Sequence, residues 1–142
     1  MKPIKLSVAV VVADPTDAER VLVVRRPPDD DDLPNTWGLP AASLRDHESW
    51  EDAALRAGRE KLGVELAIVC ELNRGEAERD HYRLVMRLYQ ARLVRGQPAV
   101  ARRVDGATQY YDWQFGTAQM LQPAAARGSL CCRLFLQDRT DH

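Results

Sequence analysis

The chain has three cysteines in 142 residues, Cys70, Cys131 and Cys132, and no Cys-x-x-Cys pair. An odd count without spaced pairs argues against a disulfide framework and for a reducing, cytoplasmic setting. No histidine stands at zinc-ligand spacing from a cysteine, so a structural zinc has no ligand set. The adjacent Cys131 and Cys132 read as two small apolar residues of a C-terminal helix. An excess of one charge is lacking too. Twenty Lys and Arg face 21 Asp and Glu, a formal charge of −1, which gives no general drive toward nucleic acid or anionic membrane. No apolar run approaches the length of a bilayer span. The valine-rich opening, Met1 to Val12, is short, and Asp14-Pro15 follows it in place of a small-residue cleavage site, so it reads as a first strand and not as a leader. Internal repeats, low-complexity tracts and linkers are also missing.

What is present is ordinary globular composition, 45% hydrophobic and 29% charged. At this length it predicts one domain, residues 1–142, with a sizeable core. Ile4 to Ala13 reads as a buried strand, Asp14 to Glu19 as a polar turn, and Val21 to Arg26 as a second strand that pairs back in a hairpin. Pro27-Pro28 ends it. The four aspartates Asp29 to Asp32 read as a solvated loop, because adjacent carboxylates do not converge on one ion without a fixed turn.

A helix is expected over Trp50 to Leu62. Glu48 and Ser49 precede it, Glu51 and Asp52 fall in its first turn where carboxylates suit the dipole, and Gly63 follows as a stop. Beyond it, Leu66 to Leu72 alternates as a strand and Asn73 to His81 reads as a charged loop or hairpin tip. Tyr82 to Val94 is a long strand whose broken alternation predicts a bulge. Gln109 to Phe115 is an aromatic strand, Thr117 to Leu121 a short helix, and Ser129 to Leu136 a terminal helix. Strands around one central helix, with further helices at the end, predict a mixed α/β sheet covered on its two faces.

The stretch Trp37 to Val64, WGLPAASLRDHESWEDAALRAGREKLGV, resembles the Nudix box. Glu48 takes the first glutamate of that motif, Arg56 the arginine, Glu60 the first of its paired glutamates, and Gly63-Val64 the closing pair. The lead-in Trp37-Gly38-Leu39-Pro40 and the helix start Glu48 to Leu55 are similar to the family as well. Four positions depart: Ala42, Ala57, Gly58 and Lys61 replace a glycine, a glutamate, an apolar residue and the second paired glutamate. The resemblance implies an α/β/α sandwich with a mixed curved sheet. It implies hydrolysis of a nucleoside diphosphate-linked or related pyrophosphate compound, assisted by magnesium, in a protein that is often a homodimer.

That chemistry needs carboxylates on one helix face, and residues three and four apart share a face. The face here carries Ala57, Glu60 and Lys61. Glu60 is therefore the one remaining metal-ligand candidate of three, with Asp105 as a weak late acidic candidate. Glu48 and Arg56 occupy the family's catalytic motif, where the pair holds the loop. An ammonium at Lys61 repels a dication by on the order of a few kcal/mol in a partly solvated site. It also suits a phosphate directly, and Arg25 and Arg26, at the end of the second strand, are further phosphate-binding candidates. Trp37, Tyr110, Tyr111 and Trp113 read as packing residues, with base stacking as the other option. Three functions stay open: a hydrolase with a depleted metal site, a Nudix-fold protein that binds a nucleotide or a partner without cleaving it, and a structural or interaction domain that keeps only the scaffold.

Overall fold

The computed structural model describes residues 2–30, 32–100 and 110–140. The strands are β1 (Ile4–Asp14), β2 (Asp17–Arg25), β3 (Trp37–Gly38), β4 (Ala41–Ser43), β5 (Glu65–Glu78), β6 (Arg83–Arg95) and β7 (Asp112–Gly116). The helices are α1 (Trp50–Leu62), α2 (Gln122–Ala126) and α3 (Leu130–Thr140), with a 3-10 turn at Ala118–Leu121 running into α2.

Strand β1 carries apolar residues on both faces, as a central strand must when both faces are covered. Val8, Val10 and Val12 face one way and pack with Ala53, Ala54 and Leu62 of α1. Ala9 and Val11 face the other way and pack with Leu121, Leu130, Cys132 and Phe135 from the C-terminal helices. Two cores result, one on each side of the sheet, which makes the α/β/α sandwich the sequence predicts. Leu22, Leu62, Leu88 and Leu121 are fully buried, each contributing about 1.5–3 kcal/mol through removal of apolar surface from water.

The sheet is mixed. β1 runs parallel to β6 from Ile4 opposite Arg83 to Val12 opposite Ala91. On its other side it pairs antiparallel with β4 across Ser7 to Ala9, and then with β2. β2 in turn pairs antiparallel with β7 and β3. This branching places the short β4 beside the start of β1, where the functional loop joins the sheet.

Helix α1 has the bounds the sequence predicts. Ser49 Oγ accepts the Asp52 N–H at 3.0 Å, a cap that stabilises the helix by about 1 kcal/mol. Gly63 closes the helix at φ 65°, donating back to the Arg59 carbonyl, a backbone conformation that a Cβ disfavours. The stripe Ala53, Ala54, Ala57, Gly58 is buried against the sheet. At Gly58 a Cβ would lie 2.8 Å from Leu66 Cδ1, so the leucine side chain fills the space of the missing methyl.

Four expectations change, and the bulge expected in the long strand is present. The hairpin turn is two residues, Pro15-Thr16, and not Asp14 to Glu19, because the Asp14 carboxylate accepts both the Thr16 N–H (2.9 Å) and its hydroxyl (3.0 Å) and closes the turn early. Most of the charged stretch Asn73 to His81 is strand: β5 runs on to Glu78, and only residues 79–82 form the hairpin tip before β6. Its charges sit on the solvent side in ion pairs such as Arg74–Glu71 (2.6 Å) and Arg83–Glu78 (2.7 Å), while Leu72 and Ala77 pack on the core. The register breaks once on β6, at Val94, and twice on its partner β5, at Val69 and Leu72. The aromatic strand begins at Asp112, and α3 continues past Leu136. Asp31, Asp105 and Gln109 lie outside the described residues.

Candidate functional site

The loop before α1 is held by one arginine. Arg56 projects from the middle of the helix and grips Glu48 with two nitrogens, Nε to Oε2 at 2.8 Å and Nη2 to Oε1 at 3.0 Å. Its Nη2 also donates to the Ser43 carbonyl at 2.6 Å. Glu48 Oε1 accepts the Arg45 N–H at 2.9 Å, and the Glu48 N–H donates to the Arg45 carbonyl. Strand β4, the loop and the helix are thereby tied at one point, with both side chains nearly buried (11% and 14% exposed). The planar guanidinium suits this bidentate contact. Hydrogen bonding to Arg56 holds the Glu48 carboxyl at about 2, against an ordinary 4.5. His47, at φ 65°, makes the sharp turn that delivers Glu48.

Glu60 and Lys61, one residue apart, have opposite fates. Glu60 stays half exposed and pairs with two cations, Arg45 at 3.1 Å and Arg56 at 3.4 Å. Lys61 is largely buried. Its Nζ donates to the Ala41 carbonyl at 2.6 Å and lies over the Tyr110 ring, 5.3 Å from the centroid. Burial, then the neighbouring charges of Arg26 and Arg56, lower its pKa from 10.5 to about 8. Tyr110 is buried and brackets the same strand residue. Its hydroxyl accepts the Ala41 N–H at 2.9 Å and donates to the Ala41 carbonyl at 3.3 Å. Burial raises its phenol to about 12.

Lys61 forms part of the wall of a 590 Å³ cleft between β4, the start of β1, the β5–β6 turn and the α2–α3 junction. Lys5, Arg26, Arg79 and Arg127 also line it. Acids in the described wall are Asp32, Glu78 and Asp80, and Glu78 is already paired with Arg83 and Lys2. The cleft is therefore cationic, in a chain of nearly balanced overall charge.

The residues do not fit the divalent metal that the Nudix resemblance implies. Ala57 offers a buried methyl, Lys61 an ammonium, and Glu60 a carboxylate already shared by two arginines. Among the described residues no group of three or more His, Cys, Asp or Glu is placed to hold a metal ion.

Of the site residues expected from sequence, Glu48, Arg56 and Glu60 come together as one cluster. Lys61 and Arg26 come together separately, in the cleft. Arg25 is not among the cleft-lining residues; its guanidinium lies 4.6 Å from the Tyr111 ring and 5.8 Å from that of Trp37. Arg26 Nε is 3.1 Å from the Asp30 carboxylate, though not aligned for a hydrogen bond. Sequence reasoning missed Lys5, Arg79, Arg127 and Ser7. One signal was legible for two of them. Lys5 and Ser7 share the strand parity of the core residues Ala9 and Val11, and polar residues at that parity mark where the core gives way to a cleft. Arg79 and Arg127 carry no local signal.

The sandwich, and the glutamate–arginine brace between its loop and its central helix, define a class of scaffold. The chain belongs to the NUDIX family, whose domain model matches residues 3–115. In structure it is similar to a NUDIX hydrolase from Nitrosomonas europaea, with a TM-score of 0.75 and 16% identity over 99% of this chain and 90% of that one. It is similar too to the E. coli ORF135 protein (TM-score 0.73, 16% identity, 99% and 94% covered). A MutT protein from Methanosarcina mazei Go1 gives a TM-score of 0.71 at 15% identity, with 89% of each chain covered. At such identities the likeness establishes the fold. No curated protein matches the chain by sequence. No helix among the described residues is long and apolar enough to cross a membrane.

Proposed function

We propose that this protein binds a small anion of the pyrophosphate class, such as a nucleoside diphosphate or a derivative of one, directly through its cationic cleft. One observation carries this reading. Lys61 is a largely buried ammonium in the wall of a cleft shared with Lys5, Arg26 and Arg127, and the nearby cations outweigh Glu60 around it. A concentration of like charge in a low-dielectric wall is relieved by an anion, and the same position would repel a dication. Arg26 and Arg127 offer forked donors suited to phosphate oxygens, and Lys61 a point charge.

The test is thermal unfolding with inorganic pyrophosphate and a panel of nucleoside diphosphates, with EDTA throughout. A ligand at about a hundred times its Kd stabilises the fold by about 2.7 kcal/mol. The expected result is an EDTA-insensitive shift, reduced in Lys61→Met, without product formation. Absence of any shift across the panel overturns the reading. The second reading, hydrolysis of a nucleoside diphosphate-linked compound, is supported by family membership. Magnesium-dependent turnover in the same panel would establish it in place of simple binding.

A further inference from the structure

We propose that the cleft holds two anion subsites, one at each end, and takes a nucleoside diphosphate that carries a separate phosphate on its sugar. This ligand class rests on the cleft being anion-binding. A cleft of 590 Å³ is the size of a site for a whole small molecule, and its cations are not gathered at one point.

The strand registers place the two ends. Lys61 donates to the Ala41 carbonyl, and Ala41 lies opposite Ala9 of β1. At the other end, Arg79 of the β5–β6 turn donates its N–H to the Tyr82 carbonyl, and Arg83, which follows Tyr82, lies opposite Ile4 of β1. Ile4 and Ala9 are about 16 Å apart along the strand, at about 3.3 Å per residue. Long side chains reaching in from both ends shorten that gap. A bare pyrophosphate, whose two phosphorus atoms share one oxygen, does not bridge it.

The first end holds Lys61 and Arg26, whose charge bears on Lys61. The far end holds Arg79 and Arg127. Arg79 Nη2 donates to the Gly128 carbonyl at 2.9 Å. This bond ties the β5–β6 turn to the α2–α3 junction and fixes the guanidinium against the backbone next to Arg127, which is exposed. Of the acids beside Arg79, Glu78 is occupied by Lys2 and Arg83, and Asp80 is exposed to solvent.

Between the ends the wall changes character. Lys5 and Ser7 of β1 stand opposite Leu84 and Met86 of β6 in the parallel register, and all four line the cleft. Lys5 Nζ lies 5.2 Å from the centroid of the Tyr82 ring. Apolar surface with a few polar groups suits a sugar and its base, whereas the charged ends suit phosphates. The nucleoside is then the uncharged spacer. Its 5′-diphosphate meets Lys61 and Arg26, and the phosphate on its sugar meets Arg79 and Arg127.

The experiment is calorimetric titration of the protein, with EDTA present, using adenosine 5′-diphosphate and the same nucleotide carrying a 3′-phosphate. The wild type should bind the 3′-phosphorylated ligand about ten-fold more tightly, the gain expected from one charge-assisted contact. Arg79→Gln, and independently Arg127→Gln, should bring that ratio toward one. Lys61→Met should weaken both ligands and keep the ratio. A wild-type ratio near one overturns the proposal, as does a ratio that survives in both arginine variants or disappears in Lys61→Met. If the wild type binds adenosine 5′-diphosphate with a ratio near one, the anion-binding reading stands alone; if it binds neither ligand, both fall.

Discussion

Replacing Lys61 with methionine separates binding from stability, because the contributions of this side chain to folding nearly cancel. Lowering an ammonium from 10.5 to about 8 corresponds to about 3 kcal/mol of disfavoured charge at neutral pH. Against this stands the charge-assisted hydrogen bond to the Ala41 carbonyl, 2.6 Å long, worth about 1.5–3 kcal/mol. Methionine keeps the aliphatic stem, and the Tyr110 hydroxyl still satisfies Ala41. Lys61→Met should therefore shift stability at neutral pH by less than about 1 kcal/mol, while weakening pyrophosphate binding at least about ten-fold. The pH dependence has a definite sign. The folded pKa lies below the unfolded one, so between about 8 and 10.5 the unfolded chain holds more protons and wild-type stability rises with pH. The wild-type stability minus that of Lys61→Met, from urea unfolding, should climb by about 2 kcal/mol between about pH 8 and about pH 9.5. A flat difference would remove the buried-cation argument. A variant destabilised by several kcal/mol that binds pyrophosphate normally would make Lys61 a strut between α1 and β4 and nothing more.

Arg56→Met should destabilise the fold by about 2–4 kcal/mol in chemical denaturation, since it strands the Glu48 carboxylate and the Ser43 carbonyl together. Glu48, held at about 2, contributes stability that is complete above the ordinary 4.5 and is lost as pH falls through about 2. Glu48→Gln should flatten that acid limb, as tracked by circular dichroism. Gly58→Ala should cost about 1–2 kcal/mol despite the better helix former, because its methyl meets Leu66; combining it with Leu66→Ala should cost less than the sum of the two, measured by a double-mutant cycle. Magnesium at millimolar concentration should leave the melting temperature of the free protein unchanged, and calorimetry that finds a stoichiometric magnesium site would contradict the metal-fit argument made from Ala57, Glu60 and Lys61.

The brace was legible in the sequence because all its parts lie within one stretch at fixed spacing. Glu48 and Arg56 are eight residues apart, and a helix with a clear start and stop fixes where the arginine points. The departures at Ala57 and Lys61 were legible for the same reason, since helical spacing alone sets which residues share a face. The cleft was not. Its cations come from β1, the end of β2, the end of α1, the β5–β6 turn and the α2–α3 junction, and only the fold brings residues 5, 26, 61, 79 and 127 together. Arg25 and Arg26 looked equivalent in sequence, yet adjacent residues at a strand end diverge: one lies against Tyr111 and the other lines the cleft. The second half of β5 was misread because charge marks a solvent-facing side as readily as it marks a loop. On an edge strand the charged side chains alternate with the few that pack, and the ion pairs along it stay at the surface.

The two halves of the NUDIX stretch in this chain separate by physics as well as by position. The brace is self-sufficient: a carboxylate and a guanidinium neutralise one another in a nearly dry setting, and the second donor of Arg56 satisfies a backbone carbonyl. Nothing in it depends on acids at positions 57 and 61, so scaffold and metal chemistry are independent requirements on one helix. An acidic helix face holds a phosphate chain only after recruiting a dication to invert its charge. With Ala57 and Lys61 in place the inversion is built into the covalent chain, on a side chain that already touches β4 and Tyr110. On the proposed reading, what is gained is an anion site that needs no metal. What is lost is the means to polarise a phosphoryl oxygen and generate hydroxide at neutral pH. If the proposed anion site is right, tight binding and slow chemistry go together, and a variant designed for magnesium-dependent turnover would have to remove the Lys61 charge before adding any carboxylate, because an ammonium left in that wall would oppose the incoming dication by several kcal/mol, about 8 at about 4 Å and an effective dielectric of 20.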